Sequence, residues 1–145
     1  MYDRRVSDQT DLFSDLVFVQ LRMVDLVERR LREDGAPQVS SYLPLLAVSS
    51  LEAARVQDVA RELGVSVGGA SKAVDRLEHA GWVKRKPHPK DRRSATVSLT
   101  AAGRRQLAKA GASVSAALEE GVALPAARRN QLGSALTQLR QGFGA

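Results

Sequence analysis

Cysteine is absent from this chain. That excludes structural disulfides, thiolate metal ligands and thiol-based redox sensing. Aromatic residues are scarce, with one Trp, two Tyr and three Phe. The core must therefore be built mainly from Leu, Val and Ala, a composition that favours helices. No apolar run approaches the roughly 18 residues needed to span a membrane. The first residues, with Asp3, Arg4, Arg5 and Asp8, lack the apolar centre of a signal peptide. A soluble cytoplasmic protein with no membrane contact is the expectation. The two histidines, His79 and His88, have no companions at metal-ligand spacing, so both read as surface residues and no metal site is expected. There is no phosphate-binding loop and no Ser/His/Asp pattern, and the carboxylates are scattered over helix faces. An enzyme is the least favoured class, and no cofactor is expected.

What remains is enough to fold. A chain of 145 residues, 43% hydrophobic, suits one core, or one core with an appended oligomerisation element. Its net charge of +6 is unevenly placed: residues 66–100 carry eight basic and three acidic side chains, a net +5. Within that stretch, residues 82–85 and 94–99 are β-capable runs around a turn segment broken by Pro87 and Pro89, which reads as a hairpin with a long tip. Lys84, Arg85, Lys86, Lys90, Arg92 and Arg93 crowd it against one acid, Asp91. Such a concentration of one sign calls for a polyanion.

Residues 1–9 read as a loosely docked arm. Residues 11–32 have helical periodicity, with Thr10 as N-cap and two apolar stripes. One stripe is Leu12, Leu16, Val19, Met23 and Leu26; the other is Phe13, Val17, Val24, Val27 and Leu31. A single small core does not bury both, so one stripe is assigned to another subunit, with a central core helix as the alternative. A second helix begins around residues 41–44, with Pro44 in its first turn. A third spans residues 56–63 and closes at Gly64. Ser66 then caps a fourth, whose buried side is Val67, Ala70, Val74 and Leu77 and whose outer side is Ser71, Lys72, Asp75, Arg76 and His79. Gly81 ends it. Short helix, Gly-containing turn, then a helix with a polar and basic face is a helix-turn-helix pattern; with the basic hairpin behind it, it becomes a winged helix. Thr100 caps a long helix to about Gly121, in which Gly103 and Gly111 are tolerable where they permit close packing. Pro125 opens a last helix with Leu132, Leu136, Leu139 and Phe143 on one stripe. The terminal helices are expected to pack together away from the DNA. The expected class is mainly α with a small β-hairpin wing: a winged helix-turn-helix core over residues 41–100, and a helical dimerisation region made of residues 1–40 and 101–145.

Three segments carry a family resemblance: Leu77-Glu78-His79-Ala80-Gly81-Trp82-Val83-Lys84-Arg85, Pro89-Lys90-Asp91-Arg92-Arg93, and Val97-Ser98-Leu99-Thr100-Ala101-Ala102-Gly103. Their order and spacing resemble the wing signature of the MarR (multiple-antibiotic-resistance-type) regulators. The resemblance implies a homodimer joined through the first and the last two helices, bound to a pseudo-palindromic operator in double-stranded DNA. It places Ser66, Ser71, Lys72 and Arg76 against major-groove edges and phosphates. It places Arg93 in the minor groove, oriented by Asp91, with Lys90 and Arg92 on phosphates. It also implies a small anionic aromatic effector between the helical and winged-helix lobes. Gly68 and Gly69 depart from the family pattern, which often has longer polar side chains there, so specificity is expected to lean on the wing and on DNA shape.

Blander readings stand beside these. Arg76 reads equally as an intrahelical ion pair, with Lys72 and Asp75 nearby, or as a DNA contact. Trp82 is better placed as a core anchor at the wing root than as a ligand-site wall, and Tyr42 as a structural residue than as an effector contact. The favoured function is a sequence-specific transcriptional regulator, repressor rather than activator. The rivals are an architectural DNA-binding protein without sequence preference and a winged-helix protein-interaction module.

Overall fold

The computed structural model describes residues 9–143. The chain runs α1 (Gln9–Glu33), α2 (Val39–Ser50), α3 (Val56–Leu63), α4 (Val67–His79), β1 (Val83–His88), β2 (Asp91–Leu99), α5 (Ala101–Gly121) and α6 (Ala126–Gly142). It is mainly helical, with one antiparallel two-stranded hairpin, and α2, α3, α4 and the hairpin form a winged helix. The expected arm falls largely on residues 1–8, outside the described residues.

Two cores hold the chain together. The winged-helix core gathers Leu45, Val48, Val59, Val74, Leu77, Val83 and Val97, with Trp82 packed at its edge. The other gathers Val27, Leu31 and Ala36 against Ala110 and Ala117, with Tyr42 beside them. Trp82 and Tyr42 thus take the structural roles expected of them. Leu and Val supply most of the first core, and alanines let α5 lie close to α1 in the second.

Several boundaries differ from expectation. Gln9 already lies in α1, so Thr10 is a helical residue rather than the N-cap. The second helix starts at Val39, which leaves Pro44 buried in the helix interior rather than in its first turn. The missing N–H of Pro44 falls opposite the carbonyl of exposed Ser40, where solvent can substitute. The hairpin pairs further than the turn residues suggested. Pro87 sits inside β1 opposite Ala95, and pairing resumes at His88 with Asp91. A two-stranded hairpin has only edge strands, and there a proline is tolerated.

The junction between the cores is built at the foot of the wing. Gly81 ends α4 with φ +76°, the left-handed region where a side chain is strained. The Trp82 N–H then donates to the Leu77 carbonyl at 2.9 Å, and the Trp82 carbonyl accepts from the Thr100 N–H at 3.0 Å. The Thr100 hydroxyl donates to the Gly81 carbonyl at 2.6 Å and accepts from the Gly103 N–H at 3.0 Å, capping α5 as expected. A Cβ added at Gly103 would overlap the Trp82 carbonyl oxygen and come within 2.8 Å of the carbonyl carbon. Gly103 therefore permits the close packing anticipated for it. Gly111 does not serve that purpose, because a Cβ there would meet nothing within 4 Å.

A polar network ties the end of α1 to α5. The Ser113 hydroxyl donates to Asp34 at 2.6 Å, and Arg30 bridges Asp34 at 3.0 Å and Glu120 at 2.8 Å. The Ser113 hydrogen bond, followed by that of Arg30, holds the Asp34 carboxyl below its usual value.

The apolar stripes of the outer helices are only partly used. Val27 and Leu31 are buried, but Leu12, Phe13, Phe18, Val19 and Leu21 are exposed, Phe13 by 67%. None of α6 is buried. The expectation that the terminal helices pack together holds for α1 with α5 and fails for α6 within the single chain. Within its own chain α6 makes an ion pair from Arg140 to Glu62 of α3.

Replacing Gly103 by Ala should cost at least about 3 kcal/mol, because backbone lies in the path of the added methyl. Gly111→Ala should be neutral or stabilising by up to ~1 kcal/mol. Urea unfolding of the two variants provides the comparison.

Candidate nucleic-acid interface

Helix α4 buries Ala70, Ala73, Val74 and Leu77 and turns the remainder outward. Its start is fixed locally: the Ser66 side-chain oxygen accepts from the Gly69 N–H at 3.1 Å. The hydroxyl proton of Ser66 stays available to a partner. Lys72 and Arg76 are exposed and have no ion pair among the described residues, while Ser71 is half-buried. The intrahelical pairing considered for Arg76 does not form, since Asp75 is engaged elsewhere. Val67 corrects the expected buried side. It is 58% exposed, because the first residue of a helix projects past the core that its later turns cover.

On the wing, Lys90, Arg92 and Arg93 are exposed and unpaired among the described residues. The strand register explains how they are displayed. Pro87 pairs with Ala95 and His88 with Asp91, so Arg92, Arg93 and Ser94 form a bulge with no cross-strand partner. Asp91 was expected to orient the Arg93 guanidinium. Instead its Oδ1 accepts from the Arg93 backbone N–H at 3.0 Å. A short carboxylate makes this local turn more readily than it reaches the end of a long side chain. The His88 Nδ1 similarly accepts from the Lys90 N–H at 3.1 Å. The tip is thus a backbone scaffold from which free cations project.

Arg85 departs most from the sequence reading. Rather than adding to the basic tip, its guanidinium bridges Asp75 of α4 at 2.6 Å and also pairs with Glu78. Its backbone N–H donates to Glu78 as well, at 3.3 Å. Burial pulls the Arg85 pKa down, but hydrogen bonds to Asp75 and Glu78 outweigh it and the net displacement is upward. The bridge braces the wing against α4 and neutralises acids that would otherwise repel a phosphate backbone. The signal lay in the sequence: Asp75 and Glu78 are three residues apart and so share a helix face.

A groove of about 280 Å³ lies beside α4. Its walls include Val39, Leu43, Pro44, Leu63 and Val65, and Arg76 stands at its edge. Among the described residues no group of three or more His, Asp or Glu is placed to hold a metal ion, and no helix is long and apolar enough to cross a membrane.

Comparison with known proteins agrees with this geometry. The sequence model of the MarR family matches residues 39–94. The multiple antibiotic resistance protein MarR of Escherichia coli (strain K12) is 28% identical over 101 residues, 65% of this chain and 69% of that protein. An uncharacterized HTH-type transcriptional regulator, YfiV of Bacillus subtilis (strain 168), is 44% identical over 46 residues; the match takes in 32% of this chain and 29% of YfiV. Among solved structures, CouR from Rhodococcus jostii RHA1 bound to p-coumaroyl-CoA superposes with a TM-score of 0.76 at 28% identity, covering 94% of this chain and 95% of that one. The transcriptional repressor CouR bound to a 23-mer DNA duplex shares the fold, with a TM-score of 0.78 at 24% identity over 95% of this chain and 99% of the other.

Arg85→Ala should lower stability by about 1 kcal/mol, because it breaks a two-acid network rather than one exposed pair. Lys84→Ala, exposed and unpaired, should change it by less than ~0.5 kcal/mol. Equal effects in urea unfolding would contradict the brace.

Proposed function

This chain belongs to the MarR family of winged-helix transcription regulators, and from that premise we propose that it is a ligand-responsive repressor that binds a pseudo-palindromic operator as a homodimer. One observation carries the DNA reading. With Arg85 neutralised, Lys72, Arg76, Lys84, Lys86, Lys90, Arg92 and Arg93 still have no acidic partner among the described residues. All of them lie on α4 and the wing. Unscreened cations held on a braced scaffold match a phosphate backbone. In this reading Ser66, Ser71 and Lys72 meet the major groove, Arg76 and Lys90 reach phosphates with Arg92, and Arg93 enters the minor groove from the bulge that Asp91 shapes.

The dimer reading rests on the uncovered apolar faces of α1 and α6. Phe13, Phe18, Leu132, Leu136 and Phe143 are exposed, Phe143 by 82%, a pattern that marks a contact surface. Residues 1–40 and 101–145 then form the dimerisation region and residues 41–100 the DNA-binding unit. A symmetric pair would set two copies of α4 about 34 Å apart, one turn of DNA. The effector reading rests on the groove beside α4, whose apolar walls and single cation, Arg76, suit a small aromatic anion. Filling it would draw Arg76 away from DNA and change how α4 sits against α2. Affinity would fall in proportion to the effector's preference for that state.

Three measurements test the proposal. Sedimentation at micromolar concentration should give a dimer, and a monomer would refute the apolar-face argument. Binding to duplexes selected from a random-sequence pool should exceed binding to unselected DNA by at least ~10³ at one stated salt concentration; a ratio near one would leave an architectural protein. Arg93→Ala should weaken operator binding by about 1–3 kcal/mol without altering the unfolding midpoint.

A further inference from the structure

We infer that Val67 is a specificity-determining residue that reads the 5-methyl group of a thymine in each half-site. The inference rests on the DNA-binding reading above and deepens it. Several outward residues of α4 are already engaged or have little to offer a base. Asp75 could accept from a cytosine amino group, but it is held by Arg85 at 2.6 Å. Ser66 has its oxygen on the Gly69 N–H and keeps only its hydroxyl proton to donate. Gly68 and Gly69 have no side chain to offer. At the leading end of the helix this leaves Val67 beside three polar side chains, Ser66, Ser71 and Lys72.

Val67 is the odd member of that set. It is 58% exposed and belongs to neither core. It does not line the groove beside α4, which its neighbour Val65 does. A β-branched residue is also a poor choice for helix propensity alone, so neither packing nor propensity accounts for it. Beside it, a Cβ built on Gly68 would meet nothing within 4 Å. The first turn of α4 therefore presents an isopropyl group next to bare, accessible backbone, and a groove floor can approach there closely.

In the major groove, the edges of the four bases are polar donors and acceptors except for one group, the thymine 5-methyl. An isopropyl group distinguishes bases best there, by excluding water from a methyl–methyl contact. Ser71 can serve either a donor or an acceptor, and Lys72 serves guanine or phosphate. The cations of α4 and the wing supply the charge match that brings a duplex to this face. Beside these polar contacts, recognition by α4 has one apolar component, small in area and directed to a T·A pair.

The test uses the full chain and duplexes selected from a random-sequence pool. Each thymine of the half-site is replaced in turn by deoxyuridine, which removes the methyl and keeps the pairing. One position per half-site should lose about threefold to tenfold in affinity, the scale of one buried methyl-sized contact. Val67→Ala should bind the thymine and uracil duplexes equally, with an unchanged unfolding midpoint, and Val67→Ile should retain the preference. If no thymine is sensitive, or if the sensitivity survives in Val67→Ala, the assignment is overturned while the regulator reading stands. If the wild-type chain binds no duplex at all, both are overturned.

Discussion

The contact between Gly103 and the Trp82 carbonyl is what the two halves of the molecule depend on. The wing root and the first turn of α5 meet with no room for even a methyl group between them. Thr100 completes the joint by donating to the end of α4 and capping α5 with one hydroxyl. A helix that continues into the second core is thereby fixed to the base of the structure that carries the charge. The start of α5, the root of the wing and the end of α4 therefore meet in one tightly packed, hydrogen-bonded joint.

The same economy governs the electrostatics. Seven cations remain on α4 and the wing because the eighth, Arg85, is occupied with the two acids of α4. Without it, Asp75 and Glu78 would place negative charge beside the proposed phosphate path. With it, they become a brace that holds the wing at one angle. The tip follows another route to the same end, since Asp91 and His88 accept from backbone N–H groups and leave the arginine side chains free. Charge is displayed where the backbone is held, and held by groups that do not consume it.

The exposed apolar residues of α1 and α6 differ in kind from Val67. Those of α1 and α6 are large, numerous and arranged in stripes, which suits a broad contact with another protein surface. Val67 is small and set among polar and glycine positions at the start of a helix flanked by cations. Area and surroundings, rather than exposure itself, separate the two.

Much of this was legible in the sequence. The helix and hairpin order followed from periodicity and from Gly64, Ser66, Gly81 and Thr100, because caps and turns act on their own neighbours and are written locally. The basic character of the wing followed from composition, which folding does not alter. Less legible was anything that depends on which groups meet across the fold. Periodicity put Val67 on the buried side, but whether a first-turn residue is covered depends on how far the core reaches. Arg85 was counted with the tip, but its carboxylate partners lie on another element. Asp91 was assigned to a guanidinium and is satisfied by a backbone N–H. Thus the sequence by itself determined the order of the elements, the caps at Gly64, Ser66, Gly81 and Thr100, and the sign of the charge, since these arise from interactions between residues close along the chain. Only the tertiary structure decided which cations are free, which apolar side chains remain uncovered, and how the wing is braced. Those outcomes depend on distances between residues that folding alone brings together.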